Sequence, residues 1–339
     1  MNTLKKLAFS ILASVFVFAN ANAGELAVSG SAKVTYTILS VDGSATDDDA
    51  GKGLGMANEF SLTAGGELDN GFTWATNIDI DAATVQDDAS MVIGMGGLGS
   101  VKFNISDGGI QKNFSSSQSV YGTPVDNGEG GTYTDSPDTG TMHSIRYTTP
   151  SGLPLGLSAS VQYAPYTGTN DANSSNAGGA VDVEDEDAIA YAVDLAPIDG
   201  LAIGASYFNP DSPKTAQKTE GGAWYATYDV GMVSLGYGES YFADGHDTNT
   251  TNEVDNYQNR QMSIAFNVND SLSLSYEKID SEKNYETSSS DVEMSVDSMQ
   301  AAYTVAGMTL SLSNEEYDNH DYTTGNKMKE TNFALSIAF

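Results

Sequence analysis

Read along the chain, apolar and polar residues alternate with a period of two. Over 26–38, Leu26, Val28, Ala32, Val34, Tyr36 and Ile38 fall on one side, while Ala27, Ser29, Ser31, Lys33, Thr35 and Thr37 fall on the other. Successive side chains of a strand point to opposite faces, so each such stretch is a strand with one greasy and one wet face. The pattern recurs. Phe72, Trp74, Ile78 and Ile80 oppose Thr73, Asn77, Asp79 and Asp81, and Met262, Ile264, Phe266 and Val268 oppose Gln261, Ser263 and Asn267. Counting gives about 16 strands, at 26–38, 57–68, 72–81, 89–96, 98–106, 142–149, 155–163, 186–195, 201–208, 221–229, 232–241, 260–268, 271–280, 292–305, 307–317 and 328–339.

Two architectures use such strands. A soluble sandwich turns the greasy face inward; a membrane barrel turns it outward to lipid. Three features favour the barrel. Aromatic residues sit near strand ends on the greasy faces (Tyr36, Phe72, Tyr163, Tyr207, Tyr228, Tyr276, Tyr303), as interfacial girdles require. The polar faces mix small and charged residues, which suits a wet lumen. Connections alternate between short (69–71, 96–97, 230–231, 269–270, 306–307) and long (39–56, 82–88, 107–141, 164–185, 209–220, 242–259, 281–291, 318–327). The expectation is an all-β, transmembrane antiparallel β-barrel with short periplasmic turns and long outer loops.

The N-terminus reads as an export signal. Lys5 and Lys6 precede an apolar run from Leu7 to Phe18, and Ala21-Asn22-Ala23 has the small-x-small pattern of a cleavage site. Residues 1–23 are therefore assigned as signal peptide and 24–339 as the barrel. The apolar run is too short to span a bilayer as a helix, and no later segment has 18 consecutive apolar residues.

Charge narrows the function classes. Lys and Arg total 14 against 46 Asp and Glu, a formal net charge of −32, which repels nucleic acid. The absence of cysteine removes disulfides and thiolate metal sites. Nucleophilic catalysis has little to work with. His143 and Ser144 are adjacent on a strand and point apart, and His246 and His320 sit in predicted loops among acids, so no enzyme is expected. Acidic runs at 47–49 and 182–187 lack the ordered spacing of a calcium loop. They suit loosely bound Ca²⁺ or Mg²⁺ bridging to lipopolysaccharide, and no resident cofactor is expected.

The last strand, Phe333-Ala334-Leu335-Ser336-Ile337-Ala338-Phe339, alternates and stops on a terminal Phe. With Leu98-Gly99-Ser100-Val101-Lys102-Phe103-Asn104 and Ile145-Arg146-Tyr147-Thr148-Thr149-Pro150, it resembles the general porin family, the trimeric 16-stranded barrels of Gram-negative outer membranes. The resemblance implies passive diffusion of small hydrophilic solutes, a homotrimer formed through the first and last strands (Phe60, Leu62 and Phe72 among the outward candidates), and Phe339 as the signal to the barrel assembly machinery. It also implies that the segment 107–141 folds inward as a constriction. That segment holds Asp107, Asp126, Glu129, Asp135 and Asp138, with Lys112 its only base. Basic residues of lumen parity are sparse (Lys33, Lys102, Arg146), whereas the family sets a basic ladder there. Glu59, Asp79, Asp81 and Asp194 add lumen acids, so cation preference is expected. Two alternatives stay open: a substrate-selective porin for sugars or other nutrients, with Tyr121, Tyr133, Tyr163, Tyr166 and Tyr241 as candidate binders, and a non-conducting surface adhesin.

Overall fold

A computed structural model describes residues 25–42, 51–81, 84–105, 108–126, 134, 142–165, 187–211, 214–248, 250, 253–286 and 290–339; the side chains of 25, 81, 84–87 and 126 are outside the description. The signal assignment, the acidic runs at 47–49 and 182–186, and Tyr133 and Tyr166 lie outside the described residues.

Sixteen antiparallel strands close into one barrel in chain order. They are β1 (Glu25–Asp42), β2 (Gly51–Glu67), β3 (Thr73–Asp81), β4 (Thr84–Gly94), β5 (Ser100–Ile105), β6 (Ser144–Thr148), β7 (Ser158–Ala164), β8 (Ala188–Ile198), β9 (Leu201–Pro210), β10 (Glu220–Val230), β11 (Val233–Ala243), β12 (Val254–Asn267), β13 (Leu272–Tyr285), β14 (Val292–Val305), β15 (Met308–Asp318) and β16 (Lys327–Ala338). Each has a counterpart among the sixteen read from the alternation. Closure removes every open edge, which a strand in lipid cannot leave unpaired.

The strand extents differ from the expectation in places. The long 82–88 loop is mostly strand, because β4 starts at Thr84. On the same side of the barrel, β12 begins six residues earlier than expected and β13 ends five later. Polar outward residues there resemble a loop in sequence, yet they continue the ladder.

The seam is made by β1 and β16. Gly30 and Phe339 exchange both backbone hydrogen bonds, at 2.9 and 3.0 Å. The Phe339 ring meets Phe60 edge-on at 5.8 Å. A Cβ on Gly30 would stand 2.6 Å from the Glu59 carbonyl and 3.0 Å from the Phe339 ring, so the terminal aromatic seats in a notch that only glycine leaves open. At the same end of the barrel, before β15, Ala306 (φ 51) and Gly307 (φ 81) make the tight two-residue turn that matches strand twist.

The exterior of the lower half carries the greasy residues: Leu235, Ile264, Leu274, Leu310 and Leu335 are all exposed, while their neighbours Ser234, Ala265, Ser273, Ser311 and Ala334 are buried. This is the inside-out polarity of a lipid-facing barrel. The expected wet lumen does not persist to the top of β13–β16. There the order inverts: Ile279, Met294, Val296, Tyr317 and Met328 form a buried cluster inside, with Phe114 and Val125 packed on it. Charges stand outside. Lys278 lies 3.0 Å from Asp280 and 3.8 Å from Asp297, Lys329 lies 2.6 Å from Glu316, and Lys327 lies 2.5 Å from Asp318. Above the hydrocarbon the exterior meets water and headgroups, so this part of the wall is built like a soluble protein. The change from Tyr276 to Lys278, from Met299 to Asp297 and from Leu312 to Asn314 marks the upper edge of the lipid-facing band.

Candidate pore constriction

A sixteen-stranded barrel is too wide for its wall side chains to fill, so its interior is a channel unless a segment enters it. Residues 108–126 do enter. They cross the inner wall from β6 to β15 as a strap, and the wall residues they touch are those that alternate with the exterior greasy ones.

At its start, Arg146 Nη1 donates to the Gly108 carbonyl at 3.3 Å. Ile110 then packs on Ala188, Ala190, Ala192 and Phe208, where small residues on the inward face of β8 make room. Lys112 Nζ reaches Asp194 at 2.9 Å, and its backbone N–H donates to Ser206 Oγ at 2.9 Å. Tyr225 also donates to Asp194, at 2.9 Å, fixing the carboxylate that holds the strap's only lysine. At Ser116 the strap backbone lies directly on β11. Side chains at Gly236 and Gly238 would collide with Ser116, so this approach requires glycine. Ser263 Oγ donates to the Ser116 carbonyl at 2.7 Å.

The next contacts centre on Glu277, which is fully buried. Its carboxylate accepts from Ser117 Oγ at 2.5 Å, from Ser119 Oγ and from Gln261 Nε2. Backbone N–H groups of Gln118, Val120 and Tyr121 donate to Ser263, Ser275 and Gln300 at 3.0, 3.0 and 2.8 Å. Gln300 returns a bond to the Gly122 carbonyl at 2.8 Å, and Tyr317 donates to the Pro124 carbonyl at 3.2 Å. Glu277, Ser298, Glu315 and Glu330 form one cross-strand row under the strap, since each is the register partner of the next. Burial, then the Glu315 and Glu330 carboxylates, hold the Tyr121 phenol above its ordinary range, so it is neutral at physiological pH.

The expected basic residues do not form one cluster. Lys102 and Arg146 are direct register partners on β5 and β6, beside Gly108. Lys33 stands apart on β1, its ammonium 4.9 Å from the Tyr121 ring. Glu59 and Asp79 lie on the adjoining β2–β3 wall, paired in register with Asp81 and Ser61. Asp79 accepts from Ser61 Oγ and, at 2.6 Å, from Asn77 Nδ2. Asp81 is in β3 and Asp126 ends a short 3₁₀ turn at Pro124–Asp126, while Asp107, Glu129, Asp135 and Asp138 lie outside the described residues. Thr134 is described: its carbonyl accepts from Asn259 at 3.0 Å and its N–H donates to Tyr322 at 3.2 Å.

Several residues that position the strap were not singled out from sequence. Glu277 was visible only as one polar member of an alternating strand. The signal that marks it is size: a large acid where neighbouring inward positions are serine. Gly236, Gly238 and the β8 alanines carry a similar signal, small residues at lumen parity without a turn to explain them. Ser144 is engaged with Asn104 and Gln162, His246 lies 3.7 Å from Glu286 and His320 lies 3.3 Å from Asp321. Among the described residues no group of three or more His, Cys, Asp or Glu is placed to hold a metal ion.

No family model and no curated protein matches the chain. Solved structures do. It is similar to OmpF of Salmonella typhi, in a structure with daunomycin (TM-score 0.63, 14% identity, 95% of this chain and 99% of that one). It is similar to the outer-membrane channel DcaP of Acinetobacter baumannii (TM-score 0.63, 12% identity, 95% and 99%). It is also similar to an anion-selective porin from Comamonas acidovorans (TM-score 0.61, 12% identity, 93% and 100%). With its sixteen strands, lipid-facing exterior and inward strap, the chain has the fold of the porins, an outer-membrane β-barrel.

Proposed function

We propose that the barrel is a passive, water-filled channel for small hydrophilic solutes and ions, narrowed at mid-height by the strap. The observation that carries this is the pairing of a polar inner wall with a segment bound along one side of it, from β6 to β15. That arrangement leaves the β1–β5 side, with Ser31, Ser61, Asp79 and Lys102, to line the passage. An adhesin would have no use for a strap fixed by so many inward polar groups.

Cation preference belongs to this proposal. Lys112 is neutralised by Asp194, and the bases Lys33, Lys102 and Arg146 are set against Glu59, Asp79 and Asp81 and the acids of the 107–141 segment, Asp107, Asp126, Glu129, Asp135 and Asp138. Rings of carboxylates favour cations. The channel would need no cofactor and catalyse no reaction. Export under the 1–23 signal, delivery through Phe339 to the barrel assembly machinery, homotrimer formation, and Ca²⁺- or Mg²⁺-bridged contact of the acidic outer loops with lipopolysaccharide complete the reading.

The test is uptake by proteoliposomes of neutral sugars of increasing mass. A channel gives rates that fall steeply with solute size and do not saturate. A saturable rate for one sugar would favour the substrate-selective alternative. No uptake by correctly folded barrel would give first place to the adhesin.

A further inference from the structure

The segment 107–141 meets the wall a second time at Thr134. Its first half rests at Ser116 on Gln261 and Ser263 of β12, whereas Thr134 meets Asn259, the next inward-facing residue toward the outer mouth. Both main-chain polar groups of Thr134 are held by side chains. Its N–H donates to the Tyr322 phenol at 3.2 Å, and its carbonyl accepts from Asn259 Nδ2 at 3.0 Å.

These two side chains are themselves linked. Ser281 Oγ donates to Asn259 Oδ1 at 2.5 Å and lies 2.6 Å from the Tyr322 oxygen. A hydroxyl has a single proton to donate. Ser281 gives its proton to Asn259, so the phenol must donate to Ser281 while it accepts from Thr134. Donation therefore runs one way round a closed ring, from the Thr134 N–H through Tyr322, Ser281 and Asn259 back to the Thr134 carbonyl. In a buried ring each bond polarises the next. Burial holds the Tyr322 phenol above its ordinary range, so the proton that the ring needs is retained.

Tyr322 is brought in by the outer connection between β15 and β16. It ends the 3₁₀ turn His320–Tyr322 and is buried, with its ring 5.5 Å from that of Tyr257 and 5.7 Å from the Lys283 ammonium. Asn319, Asp321 and Tyr322 are all left-handed, with φ of 52, 53 and 53. Asn and Asp tolerate that conformation, but a bulky tyrosine there is an outlier. Asn319 pins the turn, donating to the Glu293 carbonyl at 2.8 Å and accepting from the Gly325 N–H at 2.9 Å. Strained backbone persists where its surroundings over-determine it, and here the strained residue is the one that reaches Thr134.

We propose that Tyr322 is a positioning residue, which clamps the second half of 107–141 to the β12–β13 wall and so lets an outer loop set the width of the passage. The inference rests on the channel reading, which puts Asp135 and Asp138, soon after Thr134 in sequence, at the constriction. The Glu277 contacts hold 116–122 separately, so the two halves should respond to different variants.

The chain has no cysteine, so Thr134→Cys and Thr123→Cys each place a single thiol, one at the clamp and one in the first half. Tyr322→Phe keeps the ring and its packing but removes the hydroxyl. In barrels shown to be folded by heat-modifiable migration, it should speed labelling of Thr134→Cys by a membrane-impermeant maleimide about fivefold, the weight of one net hydrogen bond, and leave Thr123→Cys unchanged. Asn259→Ala opens the same ring from the wall and should act in the same direction, which keeps the test alive if Tyr322→Phe does not fold. In planar bilayers Tyr322→Phe should give larger conductance steps with a weaker cation preference. Unchanged labelling of Thr134→Cys overturns the proposal, and so does equal acceleration at both thiols, which would be a general loosening. Faster labelling at Thr134→Cys with wild-type conductance and reversal potential overturns the link to the passage. A wild-type barrel that conducts nothing would overturn the channel reading instead, and labelling alone would then decide the clamp.

Discussion

Glu277→Ala removes the acceptor on which the strap converges. The fully buried carboxylate takes the Ser117 and Ser119 hydroxyls from the strap and Gln261 from the wall. A hydrogen bond to a charged group is worth about 1.5–3 kcal/mol, so the two strap bonds together hold it by roughly 3–6 kcal/mol, and the neutral backbone contacts on either side add only about 1 kcal/mol each. At the lower end, about 3 kcal/mol, the opened population of 116–122 rises by about two decades. Glu277→Gln keeps an acceptor without the charge and should produce roughly half the effect in free energy. Global stability need not fall, because removing a buried carboxylate also removes its desolvation cost. The chain has no cysteine, so Thr123→Cys reports on the strap without background labelling. A membrane-impermeant thiol reagent should label it much faster in Glu277→Ala than in wild type, with Glu277→Gln between them. Single-channel recordings of Glu277→Ala should become noisier and step to larger conductance. Unchanged labelling and conductance in a folded barrel would refute the role given to Glu277.

Three further outcomes follow from the same geometry. Leu310→Arg, in the lipid-facing band, should cost about 2–4 kcal/mol of folding stability in bilayers, whereas Glu316→Arg on the same face above the band should cost about 0–1 kcal/mol; equal costs in urea refolding titrations would misplace the band. Gly30→Val should overpack the seam by about 1–3 kcal/mol and slow closure, read as loss of the heat-modifiable form, while Gly53→Val, with open space around its Cβ, should be silent. Lys214 lies 3.0 Å from Asp247 and joins two outer loops, and its hydrogen bond holds the Asp247 carboxyl below its ordinary range. A depressed carboxylate contributes above its unfolded pKa of about 3.9 and ceases to as pH falls through the lower folded value, so protease protection of the 244–248 loop should fall modestly in acid, and Lys214→Ala should lower it at neutral pH and remove that pH dependence.

The strands were legible because a half-lipid, half-water wall imposes a strict period of two on every one of them. Lys102 and Arg146 could be placed in the lumen by parity alone, since the short β5 and β6 leave little freedom of register. The inversion above Tyr276 was not legible. There, Ile279, Met294 and Val296 still alternate with Lys278, Glu293 and Asp297, but which face is inside depends on whether the surroundings are lipid or water, and alternation is the same in both cases. The strap's path was also hidden. Its anchors, Glu277 on β13 and Asp194 on β8, are far from Ser117 and Lys112 in sequence and are joined only by closure of the barrel. Separation of Lys33 from the other two bases has the same origin: strand number says who is adjacent, but the strap decides what each charge faces.

The measurement that bears most directly on the central claim is single-channel recording in a planar bilayer under a KCl gradient. The account predicts discrete conductance steps with a reversal potential that favours cations, and a shift toward anions when Asp126, Glu129, Asp135 and Asp138 are neutralised together. An anion-favouring wild-type potential would give the constriction to Lys102 and Arg146. Absence of any conductance from correctly folded barrel would contradict the channel itself.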